Sequence, residues 1–261
     1  MSRLRGRLQA TVLSPVIRVL LAILILATLA WEIASRGGLI DRRFVSTPSE
    51  IIATVPFLAR EDLVISALLT TGYAVTLAII YGCAAGMVLG YLMGFFPLVR
   101  DAFYGPALFL LSLPKAIFLP LFMVFFGINV QMAIYYGVLS SFIYVLINVV
   151  SGLDLIEKQH LQVAAAYGAT LRYRITDVIF PASLPGVFTG IWYGIKNSLT
   201  GVLIVELFAP VGGLGSLIRV YTDQLHTDRV IALVFGMSVM AIAVGYAWTA
   251  LENRLTRWRP R

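Results

Sequence analysis

Charge is what this 261-residue chain has least of: 13% of its residues are Asp, Glu, Lys or Arg, against 59% apolar. A soluble domain carries about 25% and needs that charge to cover its surface. The mean hydropathy of +0.89 excludes a water-facing fold. Cysteine is scarcer still. Cys83 stands alone, mid-run among apolar residues, and supports neither a disulfide framework nor a metal site. The two histidines, His160 and His226, fall in separate loops and cannot share a metal. No polar low-complexity tract or glycine period is present, which excludes disorder and collagen. There is also no P-loop, no Gly-x-Ser-x-Gly and no His-Glu-x-x-His, so the chain has no ATP-hydrolysing or protease machinery of its own.

What is present instead is uncharged length. No Asp, Glu, Lys or Arg interrupts Asp62 to Arg100, Lys115 to Asp154 or Arg229 to Glu252. A bilayer core of about 30 Å takes about 20 helical residues. The runs are continuous rather than alternating, which excludes a β-barrel. The reading is an all-α polytopic membrane protein with six spans, near 16–34, 66–95, 106–127, 130–150, 184–209 and 230–251. They form one membrane domain over 16–252, between an N-terminal segment 1–15 and a basic tail 253–261. Gly127, Asn129 and Gln131 mark the turn inside the second long run.

The net charge of +7 reports orientation rather than nucleic acid, because no basic stripe with interleaved aromatics occurs. With six spans, one side holds Arg3, Arg5, Arg7, Arg100, Lys158, Arg172, Arg174, Arg254, Arg257, Arg259 and Arg261. The other holds Arg36, Arg42, Arg43, Arg60, Arg219 and Arg229. The positive-inside bias places both termini in the cytoplasm. The N-terminus imitates a signal peptide, with its basic start and the apolar stretch Val19 to Trp31. Glu32 and the length before any cut favour an uncleaved anchor.

Several residues stand out within the spans. Gly82, Gly86, Gly90 and Gly94 recur at spacing four, which keeps them on one side of a helix where another helix can approach closely. Pro106, Pro114 and Pro120 require the third span to kink or break. Lys115 comes directly after Pro114 inside the run and either lines a wet pathway or snorkels to the interface. Lys196, beside Asn197 at mid-span, and Glu206, near the end of the same span, are pathway residues or halves of structural ion pairs.

The loop 151–183 reads as two short helices. Asp154 and Lys158 have i,i+4 spacing, Ala164, Ala165 and Ala166 favour helix, and Gly168 stops it. Thr170 is placed to cap the second of the two, and Pro181 and Pro185 bracket the return to the membrane. Gln162-Val163-Ala164-Ala165-Ala166-Tyr167-Gly168-Ala169, with Pro181 thirteen residues after Gly168, resembles the coupling loop of binding-protein-dependent ABC importer permeases. Leu113-Pro114-Lys115-Ala116, Phe126-Gly127-Ile128, Val205-Glu206, Gly213-Leu214-Gly215, Thr227-Asp228-Arg229 and Thr47-Pro48-Ser49-Glu50 are similar to the nitrate/sulfonate/taurine subgroup. The likeness covers roughly residues 44 to 258. It departs at Gln162, where the family has Glu; the charge is lost but the length and hydrogen-bonding end remain.

The resemblance implies a permease fold and a transport subunit that is not itself an enzyme. It implies a second permease copy, in a homodimer, two cytoplasmic ATPase subunits holding ATP and Mg, and an extracytoplasmic solute-binding protein. Gln162, Ala164, Ala165, Gly168, Ala169 and Pro181 would carry the ATPase contact, in a bacterial inner membrane. Subgroup solutes include sulfonates, taurine, nitrate, aromatic carboxylates and vitamin-precursor pyrimidines; Lys115 and Lys196 favour an anion. The alternative is an ion-coupled secondary transporter acting alone, with Glu206, Lys196 and Lys115 as its relay.

Overall fold

The structure, a computed structural model, describes residues 15–39, 41 and 44–255, with the side chains of Lys158, His160, Leu161 and Ala165 outside that description. Arg3, Arg5, Arg7, Arg42, Arg43, Arg257, Arg259 and Arg261 of the charge count lie outside the described residues. Every regular element described is helical: α1 (Pro15–Arg36), α2 (Pro48–Leu58), α3 (Asp62–Phe95), α4 (Pro97–Ser112), α5 (Leu119–Phe126), α6 (Val130–Asp154), α7 (Lys158–Ala166), α8 (Leu171–Phe208), α9 (Gly213–Asp223) and α10 (Thr227–Leu255). By length and apolarity α1, α3, α6, α8 and α10 can each cross a membrane, and α4 with α5 can form a sixth, broken span. The chain divides into two compact units, Met1–Glu61 with Val220–Ser238, and Asp62–Arg219 with Val239–Arg261.

The larger unit is built around α6, whose apolar window is 61% buried. Two glycine faces enclose it. A Cβ at Gly82 would lie 2.7 Å from Ser141, at Gly86 2.7 Å from Val145, and at Gly90 2.8 Å from Val149, while Gly94 abuts Leu153. Each four-residue step on α3 meets a four-residue step on α6 in the same direction, so the two helices are parallel. On α8 the order reverses. Gly186 meets Gly152, Gly190 meets Asn148 and Val145, and Gly201 meets Ser140, so α8 is antiparallel to α6. On this second face a Cβ on Gly186 would sit 2.6 Å from the Gly152 Cα, a backbone-to-backbone approach that only glycine permits.

Because α3 and α6 are parallel, the chain between them must return across the unit. It does so in two limbs. α4 ends at Ser112, Leu113 and Pro114 are extended, Lys115–Phe118 forms a 3₁₀ turn, and α5 leaves at 100° to α4. The span expected at 106–127 thus begins earlier, at Pro97, and breaks as its prolines require. Of its three prolines only Pro114 breaks the helix; Pro106 lies inside α4, and Pro120 sits in the first turn of α5, where no N–H is needed. Gly127 at φ 70° and Asn129, whose side chain accepts the Met132 N–H at 2.9 Å, then turn the chain into α6.

The loop 151–183 differs from expectation in two ways. α6 ends at Asp154, so Asp154 and Lys158 share no helix; Asp154 instead accepts both Arg100 Nη groups, at 2.6 and 2.7 Å. The second short helix is not separate. From Leu171 it runs on into the span through a π-helical turn, Arg174–Ile179, in which the Phe180 N–H reaches the Ile175 carbonyl. Pro181 explains the π turn: it has no N–H to offer the preceding turn, and a wider register absorbs the gap.

The smaller unit holds α1, α2 and the α9–α10 turn. Thr47 opens α2 through a capping box with Glu50. Glu32 of α1 accepts the Ser49 N–H and hydroxyl (3.1 and 2.7 Å) and the Arg36 Nε. Thr54 donates to Asp228 at 2.9 Å, and Arg229 lies over the rings of Phe57 and Tyr221.

Candidate functional site

Two of the charges that the sequence places inside spans each lie over an aromatic ring. Where α6 and α8 cross closely, a Cβ on Gly194 would lie 2.9 Å from Val145 Cγ2. The neighbouring residues, Tyr144 and Tyr193, therefore meet face to face, with centroids 6.1 Å apart and planes 16° from parallel. Lys115, on the 3₁₀ elbow of the broken span, holds its Nζ 4.3 Å from the Tyr144 centroid. Lys196 holds its Nζ 4.3 Å from Tyr193 and 5.2 Å from Trp192. The quadrupole of each ring offers the ammonium group partial compensation. Among the described residues neither lysine makes an ion pair.

Lys196 is exposed on the chain and lies near the middle of the 29 α-helical residues Phe180–Phe208. An ammonium group at that depth cannot face hydrocarbon, so this face of α8 meets water or protein. Asn197 is next on the same helix, its amide donating to the Tyr193 carbonyl at 2.8 Å.

Glu206 stands apart from this group. It is 1% exposed. Its carboxylate accepts the Thr71 hydroxyl and the Gly215 N–H, each at 2.9 Å, while Thr71 Oγ1 accepts the Leu214 N–H at 2.8 Å. Leu214 and Gly215 are in the first turn of α9. Glu206 thus caps a helix N-terminus, whose unpaired amides and dipole compensate a carboxylate that has no cation partner among the described residues. Gly213, at φ 88°, has its Cα against that carboxylate and leaves no room for a side chain. The sequence suggests a pathway lining or an ion pair for Glu206; the side chain is buried and, among the described residues, makes no ion pair.

The loop residues present a small, exposed surface. α7 ends in a Schellman turn: Gly168 adopts φ 73° and the Ala169 N–H reaches back to the Ala164 carbonyl at 2.9 Å. A side chain at Gly168 would meet no atom within 4 Å. Gln162 is exposed, Ala164 and Ala169 are half-buried, and the Ala165 side chain lies outside the description. Thr170 accepts the Tyr173 N–H at 3.3 Å and opens α8. Pro181, half-buried, is inside α8 rather than on this knob.

Tyr193 and Trp192 escaped the sequence reading although they precede Lys196 by three and four residues, the spacing of helix neighbours. Tyr144 and Thr71 carried no such signal, since their partners are remote in sequence.

The comparisons agree with this architecture. Over 239 residues the chain is 26% identical to the taurine transport system permease protein TauC of Escherichia coli, covering 90% of this chain and 86% of that one. It is equally 26% identical over 230 residues to SsuC of Bacillus subtilis, a permease protein provisionally named for aliphatic sulfonates transport, covering 88% and 83%. A solved chain of the MetNI methionine ABC transporter, in inward-facing conformations, superposes with a TM-score of 0.64 at 18% identity, over 74% of this chain and 96% of that one. A model of the binding-protein-dependent transport system inner membrane component matches residues 82–257. With that match over well over half of the chain, it belongs to the inner-membrane permease family of binding-protein-dependent transport systems, as a multi-pass transport subunit of the ABC importer type.

Proposed function

We propose that the chain forms half of a translocation pathway for a small organic anion and that a separate ATPase drives it through the knob at the end of α7. One observation carries the coupling: a helix of nine residues, exposed at Gln162, Val163 and Ala166, ends in a glycine turn with open space around it. Small residues there let a protein groove approach the backbone. Gln162, Ala164, Ala165, Gly168 and Ala169 are the contact, with Pro181 shaping the helix behind it. ATP and Mg belong to that partner, and an extracytoplasmic binding protein delivers the solute. The knob lies on the cytoplasmic side together with both termini, and a second copy of the chain completes the pathway.

Lys115, Lys196 and Asn197 line that pathway, while Glu206 and the glycines of α3 hold its walls. The names of the relatives, taurine and aliphatic sulfonates, support an anionic head group, as do two lysines without acid partners among the described residues. Two states biased by nucleotide give alternating access. Co-expression with the ATPase encoded beside it tests the reading: the two must co-purify, and the complex must take up solute only with ATP. Uptake by the permease alone, driven by an ion gradient, would replace this reading with the secondary transporter.

A further inference from the structure

α4 is fastened to α6 differently from α3 and α8, and the consequence drawn here rests on the permease reading above. We infer that Arg100 and Asp154 are a positioning pair for transport. They clasp α4, the first limb of the broken span, to the end of α6 from which the docking loop departs, so that a movement of that loop reaches the elbow at Leu113 and Pro114. Asp154 is the last residue of α6, and only Leu155, Ile156 and Glu157 separate it from α7. Arg100 is the fourth residue of α4, which continues from there as a helical arm of about 18 Å to Ser112, at the elbow.

Three observations single out this pair. Its geometry is directional: the two Nη groups of Arg100 donate to the two carboxylate oxygens of Asp154 at 2.6 and 2.7 Å, and the Tyr104 ring, one turn along α4, lies 5.3 Å from the guanidinium carbon. Its placement serves neither helix alone. A cation near the start of a helix and an acid at the end of one both oppose the helix dipole, and here each is answered by the other across α4 and α6. The rest of the seat is smooth. Val99, Tyr104 and Ala107 of α4 pack with Met93 of α3 and with Leu146 and Val150 of α6. Such apolar packing is non-directional, so it resists separation more than sliding. A Cβ on Gly105, the one glycine of α4, would meet nothing within 4 Å, so α4 has no glycine seam of the kind that keys α3 and α8 onto α6. The fork between Arg100 and Asp154 supplies the register that the apolar seat lacks.

The test reads the elbow itself and needs no solute. Ile117, 66% exposed on the 3₁₀ turn, is replaced by cysteine and labelled with bimane; Cys83 is buried. Emission of the complete complex of permease, ATPase and binding protein is compared without nucleotide and after trapping with ATP and vanadate. Trapping should shift the emission when the pair is intact. Asp154→Asn and Arg100→Gln should each reduce that shift by about half or more, since an exposed pair biases rather than locks the seat. The swap Arg100→Asp with Asp154→Arg should restore it. The shift is read per trapped nucleotide, so a mere loss of folded complex does not change it. An undiminished shift in both single variants, no recovery in the swap, or a label that ignores nucleotide with the pair intact would overturn the inference. Nucleotide trapped by the co-purified complex leaves the permease reading standing in each of those cases; a permease that brings down no ATPase would remove that reading and this one with it.

Discussion

Glu206 reaches across from the end of α8 to accept the Gly215 N–H at 2.9 Å, so one helix's acid closes the next helix's open N-terminus. The same carboxylate takes the Thr71 hydroxyl of α3. A single buried side chain thereby ties α3, α8 and α9 together. Removing it leaves donors without acceptors where water is scarce.

Glu206→Ala is accordingly expected to destabilise the protein by at least the roughly 1–3 kcal/mol of one unsatisfied buried donor. Glu206→Gln keeps the length and an acceptor for Gly215, and should cost less than half as much. Melting of both variants in detergent checks this. Equal melting of Ala and Gln would mean that the carboxylate's hydrogen bonds contribute nothing.

Gly186→Ala should be among the most damaging single-methyl changes in the chain. Its Cβ would lie 2.6 Å from the Gly152 Cα, so α6 and α8 must move apart, at a cost of about 1–3 kcal/mol or more. Gly72→Ala provides the control, with nothing within 4 Å of its Cβ. It should leave the melting temperature unchanged or raise it, because Ala is the better helix former. Paired thermal melts, read against wild type, decide between the two outcomes.

At Gly168 the space is open but the backbone is not neutral. At φ 73° a side chain is strained, by about 1–2 kcal/mol. Gly168→Ala should therefore lower stability modestly and leave insertion intact, whereas Gly168→Leu should abolish ATPase co-purification. Wild-type yield of ATPase with the Leu variant would detach this turn from coupling.

Arg100 and Asp154 form a two-pronged pair, with side chains 35% and 44% exposed. Solvent screening limits such a pair to about 1 kcal/mol or less. Asp154→Arg should cost somewhat more through repulsion, and the swap Arg100→Asp with Asp154→Arg should recover most of it. A double-mutant cycle on melting temperatures reads the coupling directly; a coupling of zero would make the pair incidental.

Much of this arrangement was legible before any coordinates. Uncharged run lengths mark the spans because hydrocarbon tolerates little else, and Gly168 and Thr170 announce a stop and a start through their local backbone chemistry. The glycine row 186, 190, 194 is equally legible at its spacing of four, yet the lysine and asparagine just beyond it mask its likeness to the row on α3. Other features lie beyond local reasoning. Pro106, Pro114 and Pro120 look alike in sequence, and only the position of each within a helix decides which one breaks it. The partners of Glu206 are 135 residues away at Thr71 and across a loop at Gly215. The compensation of Lys115 by Tyr144 depends on a helix crossing that no periodicity encodes.

The two glycine seams along α6 have a mechanical consequence. The rod is keyed on both sides: sliding by half a turn would lift Val145 and Val149 out of the recesses at Gly86 and Gly90 in which they sit. α3, α6 and α8 are thereby braced against one another as one strut. α7 comes after α6 by way of a three-residue link. A push on α7 would therefore act on these three helices together, whereas the path between α3 and α6 is interrupted at the elbow of Leu113 and Pro114.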